Sequence, residues 1–231
     1  GGARVARVVA AAAARHLTPT TLELGGKSPA IVTESAGLRI AARRIAWGRF
    51  VNAGQTCVAP DYVLVPRHLR DGLVQHLVDA VGDLYGTDAS SSDDYGKIIN
   101  THHLSRLVSY LSEDGAGQIV IGGSADPDRC HLDPTVVIDP DPSCALMTDE
   151  IFGPILPVVT YDDLDDAIAQ IRSRPHPLAL YLFSTDDDQI AQVTARTTSG
   201  GMLVNHTLLH LAAEDLPFGG VGESGMGAYH G

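Results

Sequence analysis

Strand-like and helix-like segments alternate along most of this chain, and that alternation limits the folds open to it more than any other feature. Short apolar runs predict strands at residues 20–24, 30–33, 62–65, 118–121, 135–138, 155–161, 179–184 and 202–205. Helix-forming or periodic stretches predict helices at 3–16, 38–51, 68–85, 102–113, 163–174 and 187–197. Strands that alternate with helices predict an α/β domain around a largely parallel sheet flanked by helices.

Three of these helices carry more detailed expectations. In helix 68–85 the apolar stripe is Leu69, Leu73, Leu77, Val81 and Leu84. In helix 38–51 the positions expected to be buried are Ile40, Ile45, Trp47 and Phe50. The acidic run Asp186–Asp188 is expected at the start of helix 187–197, where negative charge meets the positive end of the helix dipole.

Composition excludes several classes of protein. The formal net charge of −12 disfavours a nucleic-acid or anionic-membrane partner, and no apolar run has the length of a membrane span. Three cysteines are too few for a disulfide framework, which favours a reducing cytoplasm. The ten histidines and three cysteines lack metal-ligand spacing, so we expect no structural metal site.

Cys57 is the first candidate for chemistry. It closes the run FVNAGQTC, between an amphipathic stretch and the strand-like YVLVP. A Gly/Asn/Gln/Thr turn offers free backbone N–H groups to an oxyanion, and a polar loop is a place where the thiolate fraction can be raised. Taken alone, a cysteine is more often a small apolar core residue.

Two acidic residues are candidates of the same kind. Glu23 ends a strand-like segment beside a double glycine, where a buried carboxylate can act as a general base; a solvated or capping Glu is the alternative. Glu150 opens the run EIFGP, in which an acid can bind ribose hydroxyls and Phe152 can form a wall beside a nicotinamide. That run can equally be a loop anchor with Phe152 in the core. The glycine-dense loop at 216–225 is weak evidence by itself.

Together these clusters resemble the aldehyde dehydrogenase superfamily. The motifs ELGGKSP (23–29), GQTC (54–57), EIFGP (150–154) and PFGG (217–220) follow the family's order and near-family spacing. Longer stretches, such as RRIAWGRFVNAGQTCVAPDYVLV and LPFGGVGESGMGAYHG, look like the class 3 branch, whose substrates are fatty and aromatic aldehydes. The resemblance covers essentially all of the chain.

The resemblance implies roles for the candidate residues. Cys57 would attack the aldehyde carbon to give a thiohemiacetal and then a thioester, with its own backbone N–H as one oxyanion donor. Glu23 matches the glutamate that activates the deacylating water. Glu150 matches the acid that binds the nicotinamide ribose, and in class 3 enzymes it has also been proposed as the base. Phe152 would pack beside that ribose. The cofactor implied is NAD or NADP, between which the sequence does not decide.

Other positions are weaker matches. Gly1 fits the first glycine of the family's phosphate-binding turn, and Ala6 stands where its last glycine is usual. Asn205 and His206 follow a strand end, where they either line the substrate tunnel or serve the structure alone. Cys130, Cys144 and the histidines 102, 103 and 210 match no family motif, and we interpret them as structural.

The same resemblance predicts the domain organisation. Residues 1–24 would be a remnant of a Rossmann-like nucleotide-binding domain, 25–206 the catalytic domain with the thiol, and 207–231 the start of a bridging and oligomerisation segment. The chain is thus expected to be part of a longer protein that forms a homodimer. We expect the isolated piece to expose an apolar face where the nucleotide domain would dock. The competing hypothesis is a chain without dehydrogenase activity, acting as a non-catalytic assembly partner or a weak thiol esterase.

Overall fold

A seven-stranded sheet forms the centre of the molecule in the computed structural model, which describes all residues from Gly1 to Gly231. Its strands are β2 (Pro29–Val32), β3 (Tyr62–Pro66), β4 (Gln118–Ile121), β7 (Thr135–Ile138), β8 (Ile155–Tyr161), β9 (Ala179–Phe183) and β10 (Gly201–Val204). Their order is β10-β9-β2-β3-β8-β7-β4, and only the pairing of β4 with β7 is antiparallel. The predicted α/β fold with a largely parallel sheet is confirmed.

Seven helices surround the sheet. They are α1 (Ala3–Ala14), α2 (Leu38–Phe50), α3 (Arg70–Tyr85), α4 (Thr101–Ser112), α5 (Ala145–Thr148), α6 (Leu164–Arg172) and α7 (Asp187–Arg196). Every residue of β2, β3 and β9 is buried, as expected for strands covered on both faces. Helices α2 and α3 pack together, and α6 packs against β8 and α7.

Two small antiparallel pairs lie outside the main sheet. The strands β5 (Ala125–Asp126) and β6 (His131–Leu132) pair with each other. The strand β1 (Leu22–Glu23) pairs with β11 (Gly225–Met226). This pairing connects a segment near the start of the chain with one near its end. The segment predicted as a strand at 20–24 is therefore shorter than expected and belongs to this ribbon.

Burial of the two central helices agrees with the sequence at most positions, although Trp47, Leu69 and Leu84 are only partly buried. The stripe of α3 is buried at Leu73, Leu77 and Val81. In α2, Ile45 and Phe50 are fully buried, whereas the prediction for Ile40 is wrong, since its side chain is 55% exposed. Ile40 lies in the first turn of α2 and lines a surface hollow with Trp47.

Helix starts follow the expected capping chemistry. The Asp186 side chain accepts hydrogen bonds from the backbone N–H groups of Asp188 and Gln189 at the start of α7, which confirms the interpretation of this acidic run. Asp163 and Asp166 form a capping box at α6. No helix in the molecule combines the length and the apolar character needed to cross a membrane.

Candidate active site

The site lies where loops enter the amino ends of neighbouring parallel strands. The segments before β2, β3, β8 and β9 converge on one cavity of about 1040 Å³. Its lining includes Gly1, Gly25, Cys57, Glu150 and Phe152, together with Ser224 from the turn before β11. The fold thus brings together most of the residues that the sequence singled out, from positions far apart along the chain.

A left-handed turn places Cys57 in this cavity. Asn52, Ala53 and Gly54, directly after α2, all have positive φ angles, of 54°, 51° and 71°. Gly54 is required there because a Cβ would collide with the carbonyl oxygen of Gly153. Gln55 fixes the turn, donating to the Lys97 carbonyl at 2.9 Å and accepting from the Ile99 N–H at 2.9 Å. The thiol follows two residues later and is half-buried.

The electrostatics of Cys57 differ from the expectation for a polar loop. Burial is the main cause that raises the pKa of the Cys57 thiol, and the charge of Glu150 raises it further. The Cys57 backbone N–H acts in the opposite direction but is the smaller effect. The thiolate is therefore disfavoured in this structure, and attack by the sulfur requires a neighbouring group to accept its proton.

Glu150 is held against the backbone of the turn before β2. Its carboxylate lies so close to Gly25 that a Cβ at that position would collide with both oxygens. Burial and the charge of Asp61 raise the pKa of Glu150 from 4.5 to about 7, against a hydrogen bond from the Gly26 N–H that lowers it. Near neutral pH this side chain is close to half ionised, so it can both accept and donate a proton.

Glu23 has a buried oxygen with no partner. Its backbone pairs with Gly225 across the β1–β11 ribbon, and its carbonyl accepts from the Gly1 amino group at 2.9 Å. The side-chain Oε1 is buried without a hydrogen-bond partner, and burial raises the pKa of this carboxyl group. A buried acceptor without a partner suits a group that binds or deprotonates a ligand.

The start of α1 supplies backbone donors to the cavity. Gly2 caps this helix without a side-chain hydrogen bond, and Gly1, Gly2, Ala3 and Arg4 all line the cavity. Free N–H groups and the helix dipole make such a terminus a suitable place for a phosphate. Ala6 is buried and is not part of the lining, so its methyl group leaves the cavity open.

The EIFGP loop divides its side chains between the core and the cavity. Ile151 is fully buried, whereas Phe152 lines the cavity with 38% of its surface exposed and a positive φ of 45°. The interpretation of Phe152 as a core anchor is therefore wrong, because Ile151 fills that role. Phe152 is free to contact a planar ligand.

Asn205 and His206 are not brought to Cys57. The Asn205 side chain is bonded at both ends to the backbone of Ser184, at 3.0 Å and 2.7 Å. His206 lies 6.1 Å from the Trp47 ring and lines a separate hollow of about 600 Å³. A role of these two residues in binding substrate stays a prediction.

Five charged residues around the EIFGP loop were not among the functional residues predicted from the sequence. Lys27, Arg106 and Arg174 line the cavity, while Arg49 and Asp61 are buried behind it. The available signal was the placement of Arg49 and Asp61 in otherwise apolar segments, since a fully buried charge needs a partner. No cluster of three or more His, Cys, Asp or Glu side chains could hold a metal ion.

Comparison with known proteins agrees with this geometry. The family model described as "Aldehyde dehydrogenase family" matches residues 1–231. The mouse (Mus musculus) protein named "Aldehyde dehydrogenase, dimeric NADP-preferring" is 48% identical over the whole chain, which covers 50% of that protein. "Aldehyde dehydrogenase family 3 member A2" of Mus musculus is also 48% identical over the whole chain, which covers 47% of it.

A solved structure gives the same result for the fold. The structure titled "Substrate bound state of Staphylococcus Aureus AldH" superposes with a TM-score of 0.97 at 48% identity, covering all of this chain and 50% of that one. The chain thus spans about half the length of the curated relatives it matches. These relatives confirm the resemblance to the class 3 branch. The chain therefore belongs to the aldehyde dehydrogenase family.

Proposed function

We propose that this chain is the thiol-bearing half of an enzyme that oxidises aldehydes to carboxylic acids with NAD or NADP. The observation that carries the proposal is the single cavity shared by Cys57, Glu150, Phe152 and the glycine start of α1. Family membership and the names of the relatives support the reaction class. The class 3 resemblance favours long-chain or aromatic aldehydes.

The cofactor is expected to lie between α1 and the EIFGP loop. The free backbone N–H groups at the start of α1, beside Gly1, would bind its phosphates, Glu150 its nicotinamide ribose, and Phe152 would pack beside that ribose. The residues fit this group, because one cavity combines the uncapped start of α1, the Glu150 carboxylate and the exposed Phe152 ring. When bound, the nicotinamide supplies the hydride acceptor of the reaction.

Cys57 carries the covalent chemistry in this proposal. Its sulfur attacks the aldehyde carbon while the thiol proton passes to a carboxylate. Glu150 is the favoured acceptor, because its charge raises the pKa of Cys57 more than the charge of Glu23 does. The Cys57 backbone N–H donates to the oxyanion of the thiohemiacetal. After loss of hydride, Glu23 accepts a proton from water while the water oxygen attacks the thioester; the acid is released, and the leaving sulfur recovers a proton from the carboxyl group that holds it.

The proposal extends to domains and assembly. The main sheet lies entirely between residues 29 and 204, which supports a catalytic domain at 25–206. Residues 1–24 and 207–231 meet through the β1–β11 ribbon, as a nucleotide-domain remnant beside the start of a bridging segment. A homodimer agrees with the word "dimeric" in the name of the mouse relative. The three free cysteines favour the cytoplasm.

The test uses the protein in its complete form, including any residues outside 1–231. We expect formation of NADH or NADPH with an aromatic or long-chain aldehyde, and Cys57→Ala should reduce kcat to background. Cys130→Ala is the matched control, because Cys130 is half-buried outside the cavity, and it should retain activity. Turnover that survives Cys57→Ala would overturn the assignment of the nucleophile.

The competing hypothesis is a chain without dehydrogenase chemistry, either an assembly partner or a thiol esterase. The raised pKa of Cys57 argues against an unassisted thiol esterase, because the thiolate is disfavoured. Calorimetric titration of residues 1–231 with NAD and NADP separates the two hypotheses. Micromolar binding would support the dehydrogenase, and absence of binding would favour the alternative.

A further inference from the structure

Four basic side chains hold alternate carbonyl groups of one short segment, Met147–Gly153. We call these four residues the carbonyl clamp. Each donates to a different carbonyl: Arg174 to Met147, Lys27 to Asp149 at 3.0 Å, Arg106 to Ile151 at 2.8 Å, and Arg49 to Gly153.

The clamped carbonyls alternate with residues that face the cavity. The carbonyls of the odd-numbered residues accept from the clamp, and the intervening Glu150 and Phe152 line the cavity. The carbonyls of Asp149 and Ile151 accept from no backbone N–H group, so basic side chains take the place that a helix or strand partner has elsewhere. The orientation of Glu150 and Phe152 thus depends on the clamp.

Asp61 provides the counter-charge. Its carboxylate lies 2.6 Å from the Lys27 ammonium and 2.9 Å from the Arg49 guanidinium, and the three side chains are 2%, 8% and 0% exposed, respectively. It also accepts from the Ile151 N–H, at 3.3 Å to each oxygen. One carboxylate therefore connects two clamp residues with the middle of the segment they hold.

Such a buried arrangement is a poor way to gain stability. Desolvation of the charges offsets much of their attraction, and well-packed apolar residues often replace a buried ion pair at no cost. Two cations share one anion here, which adds repulsion between Lys27 and Arg49. Charge-assisted hydrogen bonds do impose defined directions, and orientation of the segment is what this arrangement supplies.

We propose that the carbonyl clamp and Asp61 are positioning residues that keep Glu150 and Phe152 in place for the nicotinamide end of the cofactor. The inference rests on the proposed function, since that function assigns Glu150 and Phe152 to the cofactor. Asp61 and Arg49 do not line the cavity. Their effect on a ligand must therefore pass through the segment 147–153, both by holding its backbone and through their charges on Glu150.

Two substitutions in the complete protein test the clamp. Asp61→Asn removes the shared counter-charge while keeping the side-chain shape. Lys27→Met removes one donor and leaves the Arg49–Asp61 pair intact and balanced, so it is the variant better able to fold. Lys27→Arg keeps a donor and a charge at that position and should restore part of the effect. Asp162→Asn, which breaks an exposed ion pair with Arg67, is the matched control.

The first readout is hydrogen exchange of the backbone, which requires no activity. Lys27→Met and Asp61→Asn should accelerate exchange of the amides in 150–153 about tenfold or more, with β9 unchanged, because the segment loses its fixed carbonyls. The second readout is the dissociation constant for NAD and NADP by calorimetry. It should rise about tenfold in both variants, while the KM for aldehyde stays within about twofold.

The outcomes separate this inference from the proposed function. If hydrogen exchange of the amides in 150–153 is unchanged in a folded Lys27→Met variant, the clamp does not hold this segment and the proposal is wrong. Faster exchange with unchanged cofactor affinity would show a purely structural role and overturn the positioning assignment. If the wild-type protein oxidises no aldehyde, the proposed function is wrong. The hydrogen-exchange and cofactor-binding data then still show whether the clamp positions the segment 147–153.

Discussion

Glu150 shows how one residue acquires its properties from contacts that are remote in the sequence. Its ordinary pKa of 4.5 rises to about 7, through burial first and the charge of Asp61 second. The folded protein therefore holds a proton on this side chain that the unfolded chain releases. Between pH 4.5 and pH 7 the contribution of Glu150 to the free energy of unfolding falls as pH rises, because its side chain binds fewer protons in the unfolded state in that window.

Replacement of Glu150 should reveal this dependence. The change in pKa corresponds to about 3 kcal/mol above pH 7. We expect Glu150→Gln to be more stable than the wild type at pH 8 by up to about that amount, with the difference vanishing near pH 4. Urea denaturation at several pH values measures it.

The control for this prediction is Glu214→Gln, since Glu214 is an exposed carboxylate. Its stability should follow the wild type at every pH. A Glu150→Gln variant whose advantage does not grow between pH 5 and pH 8 would contradict the assigned pKa.

At the scale of elements, the boundaries could be predicted closely because their signals are local. The strands at 118–121, 135–138 and 155–161 match the structure at both ends. A strand was predicted at 20–24, but its pairing with β11 could not be, because the two strands have two residues each and are separated by about 200 positions. Short strands carry no periodicity, and only their partner identifies them.

The capping of α7 offers a test at this scale. Asp186→Ala removes the acceptor for two backbone N–H groups at the start of the helix. The free energy of unfolding should fall by about 1 kcal/mol. Asp114→Ala, at an exposed turn residue, should change it by less than about 0.5 kcal/mol. Equal effects of the two substitutions in urea denaturation would refute the capping role.

At the scale of the whole molecule, the site gathers at the amino ends of the parallel strands. In open α/β sheets, ligands usually bind outside the carboxyl ends. Here the loops before β2, β3 and β8 carry Gly25, Cys57 and Glu150. The long connection between β7 and β8, which contains α5 and the EIFGP loop, carries Glu150 and Phe152 to this edge.

Exposed apolar residues at both ends of the chain lead to a prediction for the isolated polypeptide. On α1, Val5, Val8 and Val9 are 59%, 69% and 47% exposed, and Leu209 and Leu216 are exposed after β10. Residues 1–231 alone should therefore bind an apolar dye strongly and self-associate. Val8→Gln with Val9→Gln should reduce the dye fluorescence. A compact monomer without dye binding would contradict this expectation.

The sequence alone determined the α/β class, nearly all long elements and the candidates Cys57, Glu23 and Glu150, because periodicity and short motifs are properties of neighbouring residues. Tertiary structure decided which candidates share a cavity, that Phe152 faces it, and that the pKa of the Cys57 thiol rises. It also brought together the residues of the carbonyl clamp, whose donors lie as far as 122 positions from the carbonyls they hold. Burial and charge depend on contacts that only folding creates, so local patterns carry no record of them.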